Sequence, residues 1–516
     1  MEEKENRLFL ADGEANIPSE SGDDTLGKVA KVGFWLYIDL LATSIFSYGY
    51  WIILAAIAGP EILGITSAAT SLSWIILGIV LLGVPIGLQK IVGSKGDDPE
   101  SIAYLFSSFI FIFIVSLIGN VLTLLVLSLL EVNIGLDSST IVLALVLAFV
   151  SSISSPPKNF LVGVLRTKSL CIVDIFANVF KIITGVILIV YGFGSDGALW
   201  GYIGSVLVSL LLYFKVIRDA IKNKDRTYTY SVGRSIELMK AGFANYLPNI
   251  VTTIGIQLGI IILLNGTDAT TTGIYFIAFS LFNAVLALPT AVLGMLLPAL
   301  SRIESNQEEI ARKMTNTVIA IATPFAFALA TYAEFVLGIF GSSFVSGSSI
   351  LWVLCLSIPI ACIVIGSTNF LYAVDEFKSV LLIGIAMSVV RLVLYLVLVP
   401  IYGGLGAAYA FDFGFLGAYL VMIALNSKTR TFAIRSAMIP CFIVSGMLSL
   451  LLQYLQIPWF IGGPLMLIIS LIIFGRVKLL SKHDVLIITQ SVISKGALER
   501  IASIGKLAIR VVFGNE

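Results

Sequence analysis

Charge is scarce in this chain. Asp, Glu, Lys and Arg make up 12% of its 516 residues, against about 25% in an average soluble domain. Hydrophobic residues make up 58%, and the mean hydropathy is +1.01. So little charge cannot cover a globule in water, so most of the surface must face lipid or other helices, and membrane lipids become its standing partners. Histidine is nearly absent. The single one, His483, lies outside every apolar segment, which argues against histidine catalysis and histidine-ligated metal. Cysteine is limited to Cys171, Cys355, Cys362 and Cys441, all within apolar stretches, where buried thiols are expected rather than disulfides. The net charge of +1 by itself says nothing about partners, and no nucleic-acid partner is expected. There is no Walker-type loop, no D-x-D, no H-E-x-x-H and no Cys/His metal spacing, so no cofactor is implied.

What is present is a succession of long apolar runs. A membrane-spanning helix needs about 20 apolar residues. Runs of that kind fall at 33–58, 62–89, 101–130, 139–160, 170–192, 197–217, 236–264, 271–297, 313–338, 348–374, 379–400, 404–426, 433–453 and 458–475. They predict an all-α polytopic membrane protein of about fourteen transmembrane helices. Residues 1–30 are polar, and the first apolar run is too long for a signal peptide, so none is expected.

The basic residues test this count. Thirty of the 32 Lys and Arg fall in segments that a fourteen-span topology places on the cytoplasmic side, and the outer loops hold none. A missed span would reverse every later loop and destroy that asymmetry. Both ends are therefore expected in the cytoplasm. The outer loops are only a few residues long and leave no room for an outer catalytic domain. The tail at 1–30 is acidic and poor in apolar residues, so it should be disordered. Residues 476–516 are expected to form a cytoplasmic amphipathic tail, lying on the membrane or packed on the inner loops.

The two remaining cations, Lys181 and Arg391, lie inside the fifth and eleventh spans. Their positions correspond under an internal repeat. A shift of 209 residues pairs Lys31 with Lys240, Gly33 with Gly242, Gly64 with Gly273 and Ser71 with Ser280. A shift of 210 pairs Asn159-Phe160-Leu161 with Asn369-Phe370-Leu371, Lys168 with Lys378, and Lys181 with Arg391. The repeat unit holds six spans, an even number, so both copies share one orientation. The expected architecture is two parallel six-helix lobes around a central cavity, at 31–221 and 236–426, with two extra helices at 433–475.

Several stretches carry a family likeness. LGITSAATSLSWIILGIVLLGVPIGLQKIVG at 63–93 resembles the second-span signature of the polysaccharide and oligosaccharide flippases. So does TGIYFIAFSLFNAVLALPTAVLGMLLPALSRI at 272–303, and PIYGGLGAAYA at 400–410 looks like the turn between the eleventh and twelfth spans. SKHDVLIIT at 481–489 resembles the usual C-terminal stretch. The superfamily is that of the multidrug/oligosaccharidyl-lipid/polysaccharide exporters. The span count favours its lipid-linked sugar branch. The resemblance implies a flippase that moves a lipid-linked oligosaccharide by alternating access. The alternative is a cation-coupled exporter of small amphiphiles. A membrane glycosyltransferase is the enzyme reading, and it lacks a domain to house it.

Under that resemblance, candidate substrate contacts are Lys181, Arg391, Asn249 and Gln257. A cation near mid-membrane costs about 2.5–3.5 kcal/mol, and a pyrophosphate-linked sugar would need such partners. The alternative is structural pairing, of Lys181 with Asp174 and Arg391 with Asp412. Asp39 resembles the first-span acid with which multidrug members bind a coupling ion, Na+ or H+, and Asp412 is a second buried acid. Pro248 in the seventh span marks a helix able to bend during a cycle.

Overall fold

The computed structural model describes residues 22–95, 98, 100–129, 134–221, 229–300, 306–425, 437–477 and 479. The acidic residues 1–21, the C-terminal tail and His483 lie outside them. Among the described residues there are α-helices and one 3-10 turn and no strand.

The first helix, α1, spans Gly22–Val80 with a kink at Gly59, whose φ of 76° only glycine adopts without strain. Pro60 follows it. The helix already begins at Gly22, so residues 22–30, expected to be disordered, are helical. A turn at Leu82 and Gly83 leads to α2, Val84–Lys95, which continues the second span. Then come α3 (Glu100–Leu129), α4 (Ser138–Gly163), α5 (Thr167–Val190) and α6 (Gly194–Ile221). The second half begins with α7 (Val232–Gly266) and α8 (Ala269–Gly294), then the short α9 (Leu296–Leu300). It goes on with α10 (Gln307–Thr331), the short α11 (Ala333–Gly338), α12 (Ser348–Leu356), α13 (Ile358–Ala373), α14 (Phe377–Tyr402) and α15 (Gly404–Leu425). The last two helices among the described residues are α16 (Met438–Tyr454) and α17 (Trp459–Arg476).

Eleven of the described helices are long and apolar enough to cross a membrane, twelve if α12 and α13, bent by 42° at Ser357, form one crossing. That tally takes α1 as one helix and leaves out the 17-residue α16. Dividing α1 at Gly59 and including α16 accounts for the expected number of about fourteen.

The repeat is visible in the backbone. Leu165 between α4 and α5 and Asp375 between α13 and α14 both have positive φ, at 60° and 58°. Each turn closes with the same three hydrogen bonds, such as Arg166 N to Leu161 O and Glu376 N to Leu371 O, both 2.9 Å. Gly194, the first residue of α6, and Gly403, just before α15, share φ near 55°, at 53° and 56°. Within the first half α1 packs on α4, α5 and α6; within the second, α14 packs on α7 and α15. Helices α16 and α17 lean on α10.

Two glycine-mediated crossings join the halves. A Cβ on Gly64 would lie 1.9 Å from the Ala269 carbonyl oxygen, and one on Gly273 would lie 1.9 Å from that of Pro60. At the other end of the same span, a Cβ on Gly87 would lie 1.9 Å from the Leu238 carbonyl oxygen and one on Gly242 would lie 2.0 Å from that of Gly83. Only a hydrogen in place of a side chain permits backbones this close. All four cysteines are free and buried.

Candidate functional site: a cationic cage beside a hydroxyl-lined cavity

Helix α5 carries the chemistry of the first half. Its buried positions include Asp174, Ala177, Lys181 and Gly185, a stripe at helical spacing that faces α1, α4 and α6. Lys181 is 3% exposed. Its ammonium lies 4.7 Å from the Tyr202 ring centroid and 5.4 Å from that of Tyr50. The rings pack edge to face at 5.2 Å, and the Tyr50 hydroxyl donates to the Ala198 carbonyl at 2.9 Å. Tyr50 reaches this position because Gly185 leaves room for its ring. No carboxylate pairs with Lys181 among the described residues, so the two π faces and the adjoining cavity are its surroundings.

Two turns earlier on α5, Asp174 is 6% exposed and fully partnered. Lys158 Nζ is 2.8 Å from its Oδ2, and the Tyr213 hydroxyl donates to its Oδ1. Thus Asp174 pairs with Lys158, not with Lys181. Lys158 lies inside α4, which runs on to Gly163 through Pro156 and Pro157. Asp39 lies within electrostatic range of Asp174 and Lys158, is 9% exposed, and has one carboxylate oxygen without a partner.

Lys158, Asp174, Asn178 and Lys181 line one wall of a cavity of about 420 Å³ enclosed by α1, α4, α5 and α6. The rest of the lining is rich in serine and threonine, with Trp74 at one edge.

The second half places Arg391 at the equivalent position but closes around it. Arg391 is 1% exposed. Its guanidinium lies 4.0 Å from the Phe411 ring centroid and 4.8 Å from that of Phe415. Nε donates to the Phe411 carbonyl at 3.2 Å, while Nη1 and Nη2 have no partner. Asp412 Oδ1 is likewise unpartnered, and among the described residues no carboxylate oxygen comes within 4.0 Å of the guanidinium. Tyr275 and Tyr395 complete the electrostatic neighbourhood. The space that Tyr50 fills against Gly185 is filled here from the opposite helix, by Tyr395 against Gly259. Asn249 is exposed on α7, and its carbonyl accepts from Thr253 Oγ1 at 2.8 Å. Gln257 is half-buried on the same helix, and neither lines the cavity of the first half.

Sequence reasoning missed Lys158, both tyrosines of the cage and the hydroxyl lining. A signal existed for the last: Thr70 with Ser73, Ser151 with Ser154 and Ser155, and Ser205 with Ser209 are spaced to share helix faces in otherwise apolar spans.

A family model described as polysaccharide biosynthesis protein matches residues 53–349. No curated protein matches the chain in sequence. Among solved structures, the lipid II flippase MurJ in an inward closed conformation superposes with a TM-score of 0.66 at 17% identity, covering 85% of this chain and 98% of that one. The inward-facing conformation of a multidrug resistance MATE family transporter gives 0.55 at 16% identity, covering 79% and 100%. These likenesses establish the fold. The chain therefore belongs to the polysaccharide biosynthesis protein family.

Proposed function

We propose that this multi-pass membrane protein is a flippase that carries a lipid-linked oligosaccharide across the cell membrane by alternating access, with both termini in the cytoplasm. Family membership supports the substrate class, and the fold shared with a lipid II flippase supports the transport mode. The observation that carries the reading at residue level is Lys181, an ammonium without a carboxylate partner beside a hydroxyl-lined cavity inside an apolar helix bundle. A catalytic role has no support in the motifs, and the chain works as a carrier rather than an enzyme.

In this reading residues 31–221 and 236–426 form two lobes that rock about the glycine crossings, with 433–475 attached outside them. The anionic head group enters from a basic cytoplasmic rim and meets Lys181. Arg391, enclosed in the present state, reaches it only when α14 and α15 part, and Asn249 and Gln257 supply polar contacts from α7. Arginine's planar fork suits phosphate.

A cation-coupled exporter of small amphiphiles is the second reading. The unpartnered Asp39 oxygen next to Asp174 favours it as a place for Na+ or H+, with Asp412 as the second ion-coupling acid. Reconstituted protein separates the two: lipid-linked oligosaccharide translocation without dye efflux supports the first, and dye efflux driven by a cation gradient without oligosaccharide movement supports the second.

A further inference from the structure

Four of the hydroxyls around the cavity of the first half are held by backbone carbonyls. Thr70 Oγ1 donates to the Ser67 carbonyl at 2.9 Å, Ser205 Oγ to that of Tyr202 at 2.7 Å and Ser209 Oγ to that of Val206 at 2.8 Å. Ser73 Oγ is within 2.9 Å of the Ala69 carbonyl and 2.8 Å of the Ala144 carbonyl. The hydrogens of these four hydroxyls are committed to backbone, so what Thr70, Ser73, Ser205 and Ser209 can still offer is oxygen lone pairs. The same cavity holds one ammonium, Lys181, that no carboxylate neutralises, while Lys158 is already paired with Asp174. The part of the wall formed by Thr70, Ser73, Ser205 and Ser209 thus asks for hydrogen-bond donors, and the corner at Lys181 asks for an anion.

The repeat shows that this lining is not required by the architecture. Under the 209 shift Thr70 corresponds to Phe279, Ser73 to Phe282, Tyr202 to Phe411, Ser205 to Gly414 and Ser209 to Ala418. In the second half Phe279 and Phe282 pack edge to face on Phe411, at 5.0 and 5.5 Å, and the corresponding space is filled by rings. The same fold position can therefore be packed with apolar side chains. The first half keeps hydroxyls there in a chain where hydroxyls inside spans must be satisfied locally at some cost.

We infer that the cavity of the first half is a recognition site for a sugar bearing an acidic group, with the sugar's hydroxyls donating to Thr70, Ser73, Ser205 and Ser209 and its phosphate or carboxylate accepting from Lys181. This rests on the flippase reading and refines it: one sugar of the head group is read inside a single lobe, so the oligosaccharide is selected by its hydroxyl pattern as well as its charge. A cationic amphiphile fits poorly, because it brings a second positive charge to Lys181 and few donors to the wall.

Saturation-transfer NMR on the purified full chain in detergent tests this, with glucose 1-phosphate and glucuronic acid as probes and glucose, inorganic phosphate and tetraphenylphosphonium as competitors. The expected result is ring-proton transfer from both acidic sugars, displaced poorly by glucose or phosphate alone and not by the phosphonium. Lys181→Met should weaken binding about tenfold or more, as loss of a charge-assisted hydrogen bond implies. Thr70→Phe and Ser73→Phe copy the filled second half and should abolish the signal while leaving the protein folded, as its unchanged thermal transition would show. Absence of transfer from both acidic sugars, equal transfer in Lys181→Met, or retained transfer in folded Thr70→Phe and Ser73→Phe would overturn the inference. Oligosaccharide translocation by a protein showing no such binding would leave the flippase reading standing and remove this one. Binding without translocation would do the reverse.

Discussion

Lys181 and Arg391 meet the same physical demand in different ways. A cation deep in the bilayer costs about 2.5–3.5 kcal/mol on insertion scales. Cation–π contact returns about 0.5–2 kcal/mol of it. Lys181 keeps access to a cavity beside its two tyrosine rings, whereas Arg391 is closed in by Phe411 and Phe415 with two nitrogens unpartnered. Lys181→Ala should therefore abolish or strongly reduce oligosaccharide transport while changing the melting temperature little. Arg391→Lys should retain part of the transport, because charge survives and the fork is lost. Assays of initial transport rate at matched protein levels distinguish the two, and parental rates in both Lys181→Ala and Arg391→Ala would show the cations to be structural. Lys158 makes a different prediction. Its side chain is 42% exposed and its partner Asp174 only 8%, so Lys158→Ala leaves a buried carboxylate with the Tyr213 hydroxyl alone. After discounting for screening at the exposed ammonium, the expected loss is about 1–3 kcal/mol, read as a lower thermal transition that Lys158→Arg largely restores.

At the scale of elements, the two glycine crossings determine what the helices can do. At Gly64 even one added methyl would stand 1.9 Å from a backbone carbonyl, which cannot swing away as a side chain can. Gly64→Ala and Gly273→Ala should therefore push α1 and α8 apart rather than repack locally. Spin labels at Glu61 and Thr270, both exposed, should report a longer distance in each variant by pulsed EPR. An unchanged distance distribution would mean that the crossing tolerates a side chain and is not the close joint described here. Much at this scale was legible in the sequence. The matched stretches at 159–169 and 369–379 become the same turn, down to positive φ at Leu165 and Asp375. The junction between the first two spans was legible as a break at Gly59-Pro60, though not as a kink within one continuous helix. Side-chain facing was not legible, because helices apolar on every side give no periodic stripe from which to orient them. Hence the structural alternative paired Asp174 with Lys181, seven residues along its own helix, whereas its partner comes from α4. The contrast between a hydroxyl wall and a phenylalanine wall needed both halves folded before it meant anything.

For the whole molecule, charge distribution and fold lead to one account: a symmetric carrier in which the two halves have kept the frame and diverged in the lining. Topology tests the frame. Cysteines introduced at Asp196 and Asp268 should react with an impermeant maleimide in intact cells, and labelling only after permeabilisation would invert the orientation. The central claim, that the protein moves a lipid-linked oligosaccharide, is tested most directly by reconstituting it into liposomes carrying a fluorescently tagged lipid-linked oligosaccharide and measuring how much tag an impermeant quencher reaches over time. The account predicts that the protein speeds equilibration of the tag between leaflets far above protein-free liposomes, and that Lys181→Ala returns the rate toward theirs. Equilibration no faster than in protein-free liposomes, from protein shown to be folded, would contradict it.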